Sequence, residues 1–342
     1  MTGAGAGGGR AGTARGPAGG TAGTVPYRVP RARRTARGPL AVLAASVAAL
    51  AVLVAGCGSG GGSDGKPHGS ARPHPTTKPP TFVGIYSPEQ GTTVGTGMII
   101  SLDFTRDITD RAAVERGVSV TSVPPVEVTG HWFGDRRLDL RPARFWRAGT
   151  RVTLHLRLRG VQGAPGVRGT QSKDMSFAIG RDQHSTVDVL AHTMTVVRDG
   201  RPLRVLPISA GSDAHTTYNG IMMISEKYAV TRMNGSTVGF GGEYDIPDVP
   251  HAMRLTASGT FVHGNYWSPP GVFGTANVSH GCVGLRDVKG GGADTPAGWF
   301  YGQSLVGDTV EVVNSPDAVV APDNGMSGWN LSWPEWTAGS AL

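Results

Sequence analysis

The sequence predicts a mainly β protein, an immunoglobulin-like sandwich followed by a second β-rich domain that carries the chemistry. Three observations lead there. Short runs that suit strands recur between turn residues at 98–104, 118–121, 126–128, 136–140, 151–158 and 175–179. Within them, Thr153-Leu154-His155-Leu156-Arg157-Leu158 alternates polar with apolar, the period of a half-buried strand. Strands at this spacing in about a hundred residues are the pattern of a sandwich. Beyond them, Asp199-Gly200 is a hairpin signal between the runs 187–197 and 203–208, and it opens a second β region.

That region continues with strand candidates at 221–224, 229–232, 259–263 and 309–313, and one helical candidate around 295–305, weakened by its glycines. Its site should lie on loops between the strands. After Asn314, a Pro/Asp/Gly stretch leads to Trp329, Trp333 and Trp336. Three tryptophans so close together are too apolar for a free tail, so the segment is expected to fold back.

Composition bounds the partners. The formal charge is +7, yet Arg10, Arg15, Arg28, Arg31, Arg33, Arg34 and Arg37 precede Cys57 with no acid among them and account for all of it. The remainder is near neutral, so a nucleic-acid partner gets no support. Residues 39–55 form an apolar or small-residue run after these arginines, which reads as the core of an export signal. Residues 58–80 pass from Gly/Ser-rich to Pro/Thr/Lys-rich, with almost nothing to bury, and read as a tether.

Of the two cysteines, Cys57 closes the signal and Cys282 lies within Ser279-His280-Gly281-Cys282. A lone Cys flanked by histidines is a candidate nucleophile. Attack on a carbonyl needs the thiolate, and a free thiol needs a base or a positive neighbour to provide it. His280 and His263 are both on offer as that base. Gly281 leaves the backbone uncrowded, so its amide and that of Cys282 are candidate oxyanion donors. Zinc takes these same residue types, but His263, His280 and Cys282 are only three and lack the usual ligand spacings. No metal or cofactor is therefore expected. His184, His192, His215 and His251 read as surface or locally bonded histidines.

His263, fifteen residues and then Ser279-His280-Gly281-Cys282 resembles the active-site signature of the L,D-transpeptidases, the YkuD-type cysteine enzymes that cross-link peptidoglycan. Stretches 217–220, 224–228, 261–263 and 307–314 are similar to the actinobacterial branch of that family. Val54-Ala55-Gly56-Cys57 likewise resembles a bacterial lipobox, whose Cys becomes the lipidated N-terminus. The resulting division is a lipoprotein signal at 1–56, lipidated Cys57 and linker at 57–80, an Ig-like domain at 81–180, a YkuD-type catalytic domain at 181–315 and a Trp-rich tail at 316–342.

The resemblance implies residue roles. Cys282 matches the nucleophile and His263 the residue that takes its proton, while Gly264 falls where a backbone carbonyl orients that imidazole. Tyr244 matches a lid tyrosine able to reach the oxyanion. Met233 and Trp267 match residues lining the substrate cleft, to which Ser279 and Gly284 also belong. Gly284 stands where relatives carry Asn or Arg, and Gly264 replaces a frequent Ser. The implied activity is formation of 3-3 cross-links between peptidoglycan stem peptides through a Cys thioester, outside the cytoplasmic membrane, with carbapenems as inhibitors. An L,D-carboxypeptidase, or a wall-binding lipoprotein whose site has decayed, are the alternatives.

Overall fold

The computed structural model describes residues 78–239 and 241–342. The expected signal at 1–56, Cys57 and nearly all of the linker lie outside the described residues. No helix among the described residues is long and apolar enough to cross a membrane.

The first half is a sandwich. Strands Gly84–Ser87, Ile100–Phe104, Arg137–Arg141 and Thr129–Phe133 form one sheet, and Thr93–Val94, Ser172–Ile179, Arg151–Arg157 and Val118–Val123 form the other. The alternation read from 153–158 is realised: Val152, Leu154 and Leu156 point inward and share a core with Leu102, Leu138, Trp132 and Phe177. Each such fully buried side chain contributes about 1.5–3 kcal/mol. The strand expected at 126–128 is displaced to Thr129–Phe133. Pro124 and Pro125 lack the N–H that a ladder needs, and Val126 is left exposed. The helix Arg111–Arg116, capped by the Asp110 carboxylate on the Ala113 amide, has no counterpart in the sequence reading.

The second half is built on one nine-stranded sheet. Its order is Gly220–Met223, Thr309–Val313, Gln183–Asp188, Thr193–Arg198, Arg201–Ser209, Val283–Arg286, Phe261–Asn265, Asp245–Arg254 and Glu226–Asn234. Helix Pro296–Gln303 lies where the sequence placed a helix, its first turn closed by Thr295 Oγ1 accepting from the Gly298 amide. Strand Asp245–Arg254 escaped the sequence reading because Pro247 and Pro250 argue against a strand. The structure explains how they are tolerated. Only Met253 and Arg254 pair with Phe261–Asn265, so the proline-bearing part is paired on one side alone, with Glu226–Asn234. These two strands form an arm whose tip, closed by the Gly235 amide on the Tyr244 carbonyl, reaches over the sheet.

The C-terminal segment joins the two halves. Asn330 donates to and accepts from the backbone of Ile221 at 2.8 and 2.9 Å. A few residues on, helix Trp333–Thr337 sits on the sandwich with Trp336 fully buried and its indole N–H on the Thr129 carbonyl at 2.9 Å. The buried guanidinium of Arg141 lies 4.5 Å from the Trp329 ring and 4.4 Å from that of Trp336. Trp336→Ala should therefore cost about 3–5 kcal/mol. Urea denaturation checks this, with a loss below about 1 kcal/mol counting against a structural role for the tail.

Candidate active site

The site begins with a register. Strands Phe261–Asn265 and Val283–Arg286 run parallel, with Val262 opposite Val283 and His263 opposite Gly284. Side chains alternate along a strand, so Val262, Val283 and Leu285 enter the main core of the second half. Phe261, His263 and Asn265 must then face the other way, as must Cys282 and Gly284. On that side a small second core of Val249, Ala252 and Phe261 packs against Met233, Ile246 and Cys282. Core packing thus puts the candidate nucleophile and the candidate base on one face.

The turn before Cys282 is shaped locally. Gly281 has φ of +105°, where a side chain would be strained. Ser279 Oγ donates to the Cys282 carbonyl at 2.6 Å and accepts from the Gly281 amide at 3.1 Å. The Gly281 N–H is thus engaged with Ser279 in this state instead of pointing freely at an oxyanion, and the Ser279 hydroxyl holds the turn.

His263 is 4 % exposed, and its Nδ1 lies 2.9 Å from the Gly264 carbonyl oxygen. A carbonyl only accepts, so Nδ1 carries the proton and Nε2 keeps a lone pair. Trp267 stacks on the ring at 5.6 Å and 14°. Burial holds the imidazole below its ordinary pKa, against the opposing pull of the Gly264 carbonyl and of the Asp287 charge. It is a neutral imidazole, fit to act as a base.

Cys282 is half-buried, with Sγ 3.6 Å from the Gly259 carbonyl. Burial pushes its thiol up to about 11, only partly opposed by the Phe261 backbone. Tyr244, on the arm, is pushed up to about 12 by burial and by the neighbouring charges of Cys282 and Glu243, so its hydroxyl remains a donor. The resting site pairs a thiol with a neutral imidazole. A cavity of about 220 Å³ brings together Met233, Tyr244, His263, Trp267, Ser279, His280 and Cys282, all named from sequence. Gly284, expected in the substrate cleft, is buried and not among the residues that line it; an added Cβ there would stand 3.4 Å from the Ser209 carbonyl and 3.5 Å from the Asn265 amide nitrogen. Asn265, from the neighbouring strand, does line the cavity, its side-chain amide donating to the Ser268 hydroxyl at 3.0 Å.

Sequence reasoning missed Asn265, although its position two residues after His263 on a strand was the available signal. It also missed Asp287, for which no local signal existed. The Asp287 carboxylate accepts from His251 Nδ1 at 2.7 Å, from the Thr295 hydroxyl at 2.9 Å and from the amides of Val288 and Gly292. Gly264 makes room for it, since a Cβ there would fall 2.1 Å from Asp287 Oδ2. The carboxylate therefore backs the residue that orients the catalytic-candidate imidazole.

The thiol–imidazole assignment is open to measurement. Up to about pH 9, where an ordinary thiol with pKa about 8.5 would be mostly ionised, the ultraviolet difference between wild type and Cys282→Ala should show no thiolate band. A band titrating below pH 8 would replace this arrangement with a preformed ion pair.

Comparison with known proteins agrees with the geometry. Residues 182–312 match the family model described as the L,D-transpeptidase catalytic domain, and residues 59–162 match that of a bacterial Ig domain. The chain is 34 % identical over 259 residues to L,D-transpeptidase 2 of Mycobacterium tuberculosis, covering 74 % of this chain and 61 % of that protein. It is 31 % identical over 244 residues to L,D-transpeptidase 1 of the same species, covering 70 % of this chain and 88 % of that protein. It thus spans less than two thirds of the length of the first of these relatives. The structure of an L,D-transpeptidase in complex with imipenem superposes with TM-score 0.57 at 30 % identity, over 68 % of this chain and 99 % of the other. L,D-transpeptidase 3 of M. tuberculosis, in complex with a faropenem-derived adduct, gives 0.53 at 27 %, over 67 % and 97 %. With these relatives and a cleft that holds both Cys282 and His263, the chain belongs to the L,D-transpeptidase family: a bacterial Ig domain followed by a YkuD catalytic domain.

Proposed function

We propose that this protein forms 3-3 cross-links between peptidoglycan stem peptides by acyl transfer through a thioester on Cys282. The observation that carries this reading is the single cleft in which Cys282 shares one sheet face with a neutral His263 whose tautomer is set by Gly264. The thiol proton passes to His263 Nε2 as Sγ attacks the carbonyl between the third residue of a tetrapeptide stem, a diamino acid, and its terminal D-Ala. The Cys282 amide and the Tyr244 hydroxyl would receive the oxyanion. Collapse expels D-Ala, whose amine takes the proton from His263 and leaves the thioester. The side-chain amine of a second stem then attacks, giving up its proton to His263, and the Cys282 sulfur departs and is reprotonated.

Membership of a family whose members have been crystallised with imipenem and with a faropenem-derived adduct supports acylation of Cys282 by carbapenems here too. The sequence supports a location outside the cytoplasmic membrane, held by lipid on Cys57. Loss of fatty-acid labelling in Cys57→Ala tests that anchor.

Cys282→Ala should abolish cross-linking of purified muropeptides while leaving the fold intact. Intact-protein mass spectrometry after carbapenem treatment should show one adduct on wild type and none on the variant. Release of D-Ala with no cross-linked product would make the protein a carboxypeptidase. A Cys282→Ala protein that still turns over would place the nucleophile elsewhere.

The depressed pKa of His263 sets the pH profile. The base is neutral above its folded pKa, so kcat/KM should hold its plateau down to the ordinary imidazole value of about 6.5 and fall only below it. Asp287 favours the imidazolium, so Asp287→Asn should move this acid limb to still lower pH; a limb that moves upward or stays in place would remove Asp287 from the site's electrostatics.

A further inference from the structure

Beside the cleft, three segments distant in sequence bring nitrogen and oxygen donors to one point. His215 Nε2 and His280 Nε2 each lie 3.1 Å from Glu243 Oε2, and the three donor groups sit within 4.8 Å of one another. The imidazole rings stack at 4.7 Å. We propose that His215, Glu243 and His280 form a binding site for a divalent transition-metal ion of the zinc class. When occupied, the ion ties the arm carrying Tyr244 to the Ser-His-Gly-Cys turn.

The donor set and its support favour this class. Zinc binds imidazole nitrogen and carboxylate oxygen at about 2.0–2.2 Å, which in a tetrahedron sets donors about 3.3–3.5 Å apart. The two Nε2 to Oε2 distances are already close to that. Two imidazoles with one carboxylate suit zinc, copper or nickel, whereas calcium and magnesium need more oxygen ligands. Both histidines stand on backbone fixed independently of Glu243. The Ser212 amide donates to the Ser279 carbonyl at 2.9 Å, and the His215 amide donates to the Ser212 carbonyl at 3.0 Å, so the two histidine loops are joined. Glu243 arrives from the tip of the arm. Side-chain exposures of 26 %, 33 % and 48 % for His215, His280 and Glu243 leave an approach for the ion and a fourth position for water.

Binding would hold Tyr244 over Cys282. Stem peptides must enter and leave beneath the arm, so the occupied site should slow turnover; this consequence rests on the proposed transpeptidase reading, while the site itself does not.

Calorimetric titration of the metal-free full chain with zinc chloride tests the site. One ion should bind per chain in wild type and equally in Cys282→Ala, which removes the competing thiol. His215→Ala and Glu243→Gln should each weaken binding by at least about tenfold, the loss that even an outer-shell partner commonly causes. Absence of saturable binding would show that the three groups form a hydrogen-bonded clasp only. Binding that disappears in Cys282→Ala but survives in His215→Ala would place the ion on the sulfur and overturn the proposal. In a muropeptide assay, zinc should slow wild type and spare His215→Ala; equal slowing of both would overturn the link to the arm. A metal-free enzyme with no turnover would count against the transpeptidase reading, leaving calorimetry to decide the site.

Discussion

The parallel pairing of Phe261–Asn265 with Val283–Arg286 is the constraint on which the site depends. Because successive side chains face opposite sides, the burial of Val262, Val283 and Leu285 in the core dictates that His263 and Cys282 emerge together. A slip of one residue in either strand would bury a catalytic-candidate side chain and expose a valine, so the same apolar packing that stabilises the domain also specifies the register. The arm then covers that face, and Gly264 leaves the space that Asp287 fills behind it.

Burial has one electrostatic effect on all three groups of the cleft. It disfavours charge, keeping the proton on the Cys282 sulfur and the Tyr244 hydroxyl and off His263 Nε2. Cys282 therefore rests as a thiol. In the proposed reaction its proton would move only when a carbonyl is in place to accept the developing bond. Asp287 opposes this effect from behind Gly264 by favouring the imidazolium that proton transfer creates.

The junction of the two halves follows a different logic. Arg141 is buried with its Nε atom unpartnered among the described residues, and burial lowers its pKa to about 10. Indole faces and the carbonyls of Pro142 and Leu331 surround the rest of the guanidinium. Removing the tail would take those faces and the Leu331 carbonyl away from the Arg141 guanidinium and release the pair between Asn330 and Ile221. The amides of Gly95 and Gly97 add a second link, donating to the carbonyls of Val306 and Gly307 at 2.7 and 2.9 Å.

The sequence by itself determined what depends on local pattern: the alternation in 153–158, the hairpin at Asp199-Gly200, the helix near Thr295, and the motif that carries the candidate nucleophile and base. These signals sit within a few residues of one another, where strand period, turn chemistry and reactivity act directly. Strand Asp245–Arg254 was hidden by Pro247 and Pro250, whose missing N–H groups cost little where they face an unpaired edge, and which edge is paired is a tertiary fact. Tertiary structure alone decided that Asp287 stands against Gly264, that Asn265 lies beside Gly284, and that His215 and Glu243 meet His280. None of these pairs has a sequence spacing that marks it, because each joins separate segments through the register of the sheet and the fold of the arm over it.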